Sequence, residues 1–148
     1  MTGAGTLAGN GGANSLAGSG GADSIAGNAG ADTLNGGASA DTLSGGTGND
    51  VFAFSPNAGP TLSGVDVVTD FVIGADVINV AAFGPLGAGS AFLGIGFTSG
   101  PLSGRVTVVP VDDVVDYTAV RGWSSTNILL FEIHVQTVGA WTAADFAL

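Results

Sequence analysis

The sequence of 148 residues holds no cysteine, no lysine and a single histidine, and its only basic side chains are Arg105 and Arg121, against twelve acidic ones. Without cysteine there is neither a disulfide framework nor a thiol nucleophile, so a small core has to be held by packing or by a bound ion. Without lysine there is no Schiff base and no phosphate cradle of the P-loop kind. A formal net charge of −10, with a pI near 4.1, repels nucleic acid, because phosphate binding needs Lys and Arg to displace counterions. The same charge attracts cations. One histidine cannot make the two-histidine helix turn of zinc proteases, and no serine stands in a Gly-x-Ser-x-Gly elbow. Paired carboxylates serve glycoside cleavage, but a regular row of aspartates is better explained by a metal, so no enzyme is expected. Long apolar runs are missing as well: mean hydropathy is +0.50, yet nothing approaches the roughly 18 residues of a membrane-spanning segment. No membrane insertion is expected. The opening MTGAGTLAGN has neither a basic region nor an apolar segment, so no cleavable export signal is expected at that end.

Glycine is abundant, at 27 residues, and much of it recurs in phase. From Gly9 to Ala53 the units GNGGANSLA, GSGGADSIA, GNAGADTLN, GGASADTLS and GGTGNDVFA follow one another without a gap. The eighth position is always large and apolar: Leu16, Ile25, Leu34, Leu43 and Phe52, with Leu7 continuing the series backwards. The sixth position is Asn14, Asp23, Asp32, Asp41 and Asp50. Strict phase of this kind marks a solenoid and not a flexible Gly/Ser linker. Six Gly-rich residues and a three-residue apolar-centred segment predict turn and short strand in alternation. Stacked coils bring aspartates to about 5 Å, where bare carboxylates repel by about 3 kcal/mol at an effective dielectric of 20. A hard cation reverses that sign, and carboxylates with turn carbonyls form an all-oxygen set that suits Ca²⁺ better than Zn²⁺ or Mg²⁺.

The units resemble the G-G-x-G-x-D-x-U-x nonapeptides of RTX proteins, whose repeats form a calcium-binding parallel β-roll. The resemblance implies one coil per two nonapeptides, with an ion between each unit and the second one after it. The earlier unit gives its second and fourth carbonyls and its Asp; the later gives its first and third carbonyls and its Asp. It thus implies a site from Asn10, Gly12 and Asn14 with Gly27, Ala29 and Asp32. A second takes Ser19, Gly21 and Asp23 with Gly36, Ala38 and Asp41. A third takes Asn28, Gly30 and Asp32 with Gly45, Thr47 and Asp50. Asn14 offers a neutral oxygen where the family has a carboxylate, so the first site is expected to be the weakest.

Beyond Phe52 the period breaks. Pro56 and Pro60 punctuate a loop, and VDVVTDFVIGADVINVAAF from Val65 reads as a hairpin or two adjacent strands. This stretch resembles the region after the repeats in serralysin-type carboxy-terminal domains, through Asp66, Asp70, Phe71, Gly74, Asp76, Ile78 and Phe83, with Asn79 where an Asp is common. Residues 84–104 read as irregular loop or cover. Residues 105–111 and 127–138 have strand composition, and Asp112, Asp113 and Asp116 read as a solvated acidic turn. Glu132 and His134 fall on one face of an alternating strand, with His134 read as structural. The end, LFEIHVQTVGAWTAADFAL, resembles the uncleaved type I secretion end of many RTX proteins, and Thr142 with Asp145 suits the cap of one short helical turn.

The expected fold is therefore all-β: a parallel β-roll over 1–53, capped by a β-sandwich-like region over 54–148 that carries the secretion signal. The expected function is that of a secreted, non-catalytic Ca²⁺-binding protein of a Gram-negative bacterium. It would fold outside the cell on binding calcium and act as a surface or matrix component, with the type I secretion machinery as partner. The roll has no evident amino-terminal cap, which suits head-to-tail homo-oligomers or filaments. The competing reading is a carboxy-terminal export and folding module of a larger protease, lipase or adhesin.

Overall fold

A computed structural model describes residues 3–55, 64–83, 91–95, 105–110, 117–123, 129–136 and 141–147. The nine-residue period becomes six three-residue strands: β1 Thr6–Ala8, β2 Ser15–Ala17, β3 Ser24–Ala26, β4 Thr33–Asn35, β5 Thr42–Ser44 and β6 Val51–Ala53. Three residues in a strand point out, in and out. The central position of each unit therefore faces inward, and Ile25, Leu34, Leu43 and Phe52 are fully buried. In the three units from Gly27 to Ala53 the connecting turn has left-handed residues at the second and fourth positions, as at Gly37 (φ 102°) and Gly30 (φ 118°). Asn28 (φ 77°) and Ser39 (φ 88°) adopt the same conformation with a Cβ. Asn tolerates it well and Ser less so.

Alternate strands belong to different sheets, so each strand pairs in parallel with the second one after it. Leu7 pairs with Ile25 and Ile25 with Leu43 in one sheet; Leu16 pairs with Leu34 and Leu34 with Phe52 in the other. The two ladders run on past the last nonapeptide. Strand β7, Asp66–Val68, joins β5, and strand β8, Val77–Asn79, joins β6. Both strands expected here are present, but neither as a hairpin nor as sheet neighbours: they lie in separate sheets because the chain makes another coil of the roll instead of folding back on itself.

The rest completes the sheets. Strands β9 Ala91–Ile95, β10 Arg105–Pro110, β11 Tyr117–Trp123 and β12 Leu129–Gln136 extend the first sheet beyond β7, with β12 parallel to β7 and antiparallel to β11. The order is β1-β3-β5-β7-β12-β11-β10-β9. Strand β13, Phe146–Ala147, closes the second sheet, of order β13-β8-β6-β4-β2. The chain is all-β, with a parallel β-roll and a sandwich-like cap; among the described residues the only helical pieces are the 3₁₀ turns Ala81–Phe83 and Ala143–Asp145. One continuous core runs from Ile25 through Phe52 and Ile78 to Val135 and Phe146.

Strand β9 lies in a stretch whose composition predicts loop, and β11 has no counterpart among the sequence-predicted strands. The strands predicted from residues 105–111 and 127–138 are present as β10 and β12. The trio Asp112, Asp113 and Asp116, and the loop at Pro56 and Pro60, lie outside the described residues.

The cap grips the roll through aspartates and aromatic rings. Asp70 accepts hydrogen bonds from the backbone of Gly45 (2.9 Å) and Gly46 (2.8 Å) and from Ser44 Oγ (2.6 Å). Asp145, fully buried, accepts from Gly74 N–H (2.7 Å) and from the Thr142 backbone (2.7 Å) and hydroxyl (2.9 Å). Phe71 lies 6.0 Å from Phe52 and stacks at 4.9 Å on Trp141, which in turn lies 5.4 Å from Phe146.

Candidate metal centre

Because each strand stacks on the one two units away, so do the turns, and the sixth-position side chains form two rows. One row runs Asn14, Asp32, Asp50 and on to Asp76. The other begins at Gly5 and runs Asp23, Asp41 and on to Asp66. A single hydrogen bond, repeated, links the members: the N–H of each residue donates to Oδ1 of the next. The distances are 2.7, 2.8 and 2.9 Å down the first row and 2.7, 2.8 and 2.9 Å down the second.

One carboxylate oxygen is thereby committed to the fold, and what happens to the other decides the chemistry. Oδ2 of Asp32, Asp41, Asp50 and Asp66 is buried with no hydrogen-bond partner among the described residues. A buried, unpartnered charged oxygen is strongly unfavourable; two of them in each row form donor pairs for a hard cation. At other positions the corresponding side-chain oxygen accepts one backbone hydrogen bond. Asp76 Oδ2 accepts from Val72 N–H at 2.8 Å, Asp23 Oδ2 from Ser19 N–H at 3.1 Å, and Asn14 Oδ1 from Asn10 N–H at 2.7 Å.

Glycine at the first position of each unit keeps room beside these oxygens. A Cβ on Gly27 would meet Asp32 Oδ2 and, at 2.6 Å, the Gly45 carbonyl oxygen. One on Gly18 would meet Asp23 Oδ2 at 2.6 Å together with the Gly36 carbonyl, and one on Gly9 would meet Asn14 Oδ1 together with the Gly27 carbonyl at 2.5 Å. Each cradle therefore joins the sixth-position oxygen of one unit to the first-position carbonyl of the unit stacked upon it. The remaining carbonyls lie along the same stacks. Asn10 O accepts from Ala29 N–H (3.4 Å), Ser19 O from Ala38 N–H (3.0 Å) and Asn28 O from Thr47 N–H (2.9 Å). Ala38 O accepts from Gly21 N–H (3.2 Å) and Thr47 O from Gly30 N–H (2.9 Å), and Gly12 O lies 2.8 Å from where a Gly30 Cβ would stand. A carbonyl has a second lone pair, so these bonds leave each able to coordinate. All the ligand residues named from the sequence lie along these two stacks.

Electrostatics agrees with the geometry. Burial pushes the Asp66 carboxyl up to about 7, opposed by the hydrogen bond from Asp41 N–H and reinforced by the Asp41 charge. Asp41, Asp50 and Asp76 are raised for the same first reason, burial, with backbone hydrogen bonds opposing it and neighbouring carboxylates adding to it. Among the described residues no three His, Cys, Asp or Glu side chains converge on one point. The expected ligand set, two side chains and four carbonyls, asks for no such trio, and the all-oxygen donors fit Ca²⁺. Glu132 and His134 do share a face of β12, where Glu132 bridges His134 Nε2 (2.9 Å) and Arg121 Nε (2.6 Å). The Arg121 hydrogen bond holds Glu132 below its ordinary range.

Sequence reasoning set Asp66 and Asp76 outside the aspartate rows. Within the repeats successive row members are separated by 18 in sequence, whereas Asp66 follows Asp41 by 25 and Asp76 follows Asp50 by 26, so the period conceals them. The retained signal is the triplet of an Asp and, two positions on, an inward apolar residue: Asp66-Val67-Val68 and Asp76-Val77-Ile78 repeat Asp41-Thr42-Leu43.

Comparison with known proteins is consistent with this. The RTX calcium-binding nonapeptide repeat, in four copies, matches residues 1–34 and 18–52. Among curated protein sequences none matches the chain significantly. Two solution structures are similar over 99% of this chain. One is the AlgE6R3 subunit of the Azotobacter vinelandii mannuronan C5-epimerase, at 30% identity and a TM-score of 0.69 over 78% of that chain. The other is the AlgE6R2 subunit of the same enzyme, at 26% identity and a TM-score of 0.63 over 91% of that chain.

Proposed function

The chain belongs to the RTX calcium-binding nonapeptide-repeat family, and from that premise we propose a secreted, non-catalytic protein whose folding is coupled to calcium and which serves outside the cell as a structural, surface or matrix component. The observation that carries this reading is the set of buried, unpartnered Oδ2 atoms on Asp32, Asp41 and Asp50. We assign the ligands as three sets: Asn10, Gly12, Asn14, Gly27, Ala29 and Asp32; Ser19, Gly21, Asp23, Gly36, Ala38 and Asp41; Asn28, Gly30, Asp32, Gly45, Thr47 and Asp50. When bound, Ca²⁺ supplies the positive charge that the rows lack. Where calcium is scarce, the rows repel and the chain stays extended and exportable; where calcium is plentiful, they close, and folding free energy is binding free energy.

In this reading residues 54–148 are the cap and the export address; the likeness to serralysin-type carboxy-terminal domains rests on Asp66, Asp70, Phe71, Gly74, Asp76, Ile78 and Phe83, and the likeness to type I secretion ends on the last stretch with its terminal Asp145-Phe146. Asp70 and Asp145 act as latches on the turns at Gly45 and Gly74. A cleft of about 280 Å³ opens beside the first coil, lined by Gly5, Leu7, Ala17 and Asp23 among others. The first strands β1 and β2 are sheet edges, which supports assembly by head-to-tail stacking. A second reading, the export and folding module of a larger type I-secreted protein, is favoured by one observation: both similar structures are subunits of a larger enzyme.

The test is co-expression of the full chain with a type I exporter in a Gram-negative host, followed by electron microscopy of the purified protein with and without calcium. Export that requires residues 141–148, and calcium-dependent filaments, support the first reading. Retention in the cell despite the exporter overturns the secretion claim, and monodisperse monomers at high calcium overturn the assembly claim.

A further inference from the structure

Where the chain leaves the roll, a side chain takes over from a coil. In the repeats the N–H at the first position of a unit donates to a backbone carbonyl of the coil stacked on it: Gly9 to Ala26 O, Gly18 to Asn35 O and Gly27 to Ser44 O, all at 2.8 Å. Gly45 opens the last unit, and its N–H donates instead to Oδ1 of Asp70 at 2.9 Å. Oδ2 of the same carboxylate accepts from Gly46 N–H at 2.8 Å and from Ser44 Oγ at 2.6 Å. Two successive N–H groups, the second from a left-handed glycine (φ 94°), thus form a concave seat for an anion. A charged acceptor stands where the earlier turns have a neutral one.

The bond from Gly46 has the larger consequence, because Gly46 N–H and the Gly45 carbonyl belong to one peptide unit. In a trans peptide N–H and C=O point in opposite directions. With its N–H on Asp70, this peptide turns its oxygen the other way, into the cradle where a Cβ on Gly27 would meet both Gly45 O and Asp32 Oδ2. A charged acceptor on the N–H also draws negative charge onto the carbonyl oxygen, since linked hydrogen bonds polarise one another. Asp32 and Asp50, the carboxylates of this site, do no such thing: they accept from Asn14 and Asp32 N–H, whose peptide units carry the Ala13 and Ala31 oxygens, outside the ligand sets. The charge of Asp70 reaches the site as well, for Asp50, raised first by burial, is raised further by the Asp32 and Asp70 charges. We propose that Asp70 is a positioning residue for the site of Asn28, Gly30, Asp32, Gly45, Thr47 and Asp50. It acts through the Gly45–Gly46 peptide unit, which it holds by the N–H, so that the Gly45 oxygen is aimed at the ion and made a stronger donor. The segment after the repeats thereby sets the affinity of one site in addition to closing the roll.

This proposal rests on the calcium reading of the repeats, and its test separates the two. Asp70→Asn keeps the size of the side chain and one acceptor oxygen but removes the charge and the second acceptor. In the full chain, saturated with calcium and then titrated with chelator, the carbonyl ¹³C resonances of Gly45 and Gly36 report the third and the second site separately. D70N is expected to raise the calcium midpoint of Gly45 relative to that of Gly36 by about ten- to a hundredfold against the wild type. A latch without influence on the ion moves both midpoints together, so an unchanged ratio overturns the proposal and leaves the array standing; a wild type that binds no calcium overturns the array and the proposal together. Should D70N fail to fold, the loaded wild type answers. Its Gly46 amide proton is expected downfield of those of Asn28 and Gly37, the equivalent positions of the preceding units, as a charge-assisted bond requires, and a Gly46 proton level with them overturns the proposal.

Discussion

Asp32 is the residue on which the array turns. It is 1% exposed, lends Oδ1 to Asn14 N–H, and leaves Oδ2 beside the Gly45 carbonyl. It also belongs to two of the three assigned sites, whereas Asn14 belongs to one and brings no charge. Asp32→Ala is therefore expected to raise the calcium midpoint of folding by at least tenfold, on the order of 1.4 kcal/mol or more, and Asn14→Ala by less. Calcium titrations of both variants followed by circular dichroism check this ordering, and equal shifts would sink the idea of a shared ligand. Glycine matters at this scale through space as well as conformation. The first-position glycines leave room for the sixth-position oxygens, which explains why the units retain Gly there while the second position varies among Gly, Asn and Ser.

At the scale of elements, each three-residue strand of the repeats contributes one inward side chain, and the ladders Leu7, Ile25, Leu43, Val68 and Leu16, Leu34, Phe52, Ile78, Phe146 run through the core. The first members are only partly buried, and exposure falls to nothing toward the cap. Stability is thus concentrated at the carboxy-terminal end, where Phe52, Phe71, Trp141 and Phe146 form a connected aromatic row. Trp141→Ala is expected to cost about 3–5 kcal/mol. Denaturant unfolding at saturating calcium measures it, and a loss below about 1 kcal/mol would mean that the terminal segment does not support the roll. The roll is legible in the sequence because a nine-residue period writes its own register: any residue pairs with its equivalent two units on. The extra coil is not, since the longer intervals from Asp41 to Asp66 and from Asp50 to Asp76 carry no period, and two strands near in sequence look like a hairpin although each pairs with a distant partner. Strand β11 is concealed for a related reason: its Arg121 and Gly122 dilute the alternation, and the strand is fixed by neighbours β10 and β12.

The whole molecule carries a formal charge of −10 with two arginines to offset it, and one of those is committed to Glu132. Folding without a cation must therefore neutralise the rows by protonation. The sign follows from the raised carboxyls. Asp66, lifted from 3.8 to about 7 by burial, favours the folded state when protonated; that contribution is present below about pH 3.8 and is lost as pH rises through about 7. Asp41, Asp50 and Asp76 move in the same direction. The calcium-free protein is accordingly expected to gain strand structure and Trp141 burial as pH falls from about 7.5 to about 4, and a fluorescence titration in chelator that stays flat would contradict this. The most direct measurement is far-ultraviolet circular dichroism of the full chain at neutral pH while calcium is titrated from chelator to millimolar and back. The prediction is a coil spectrum that converts cooperatively to strand and reverts on chelation; unchanged coil throughout, or strand content already complete in chelator, would contradict the coupling of fold to ion.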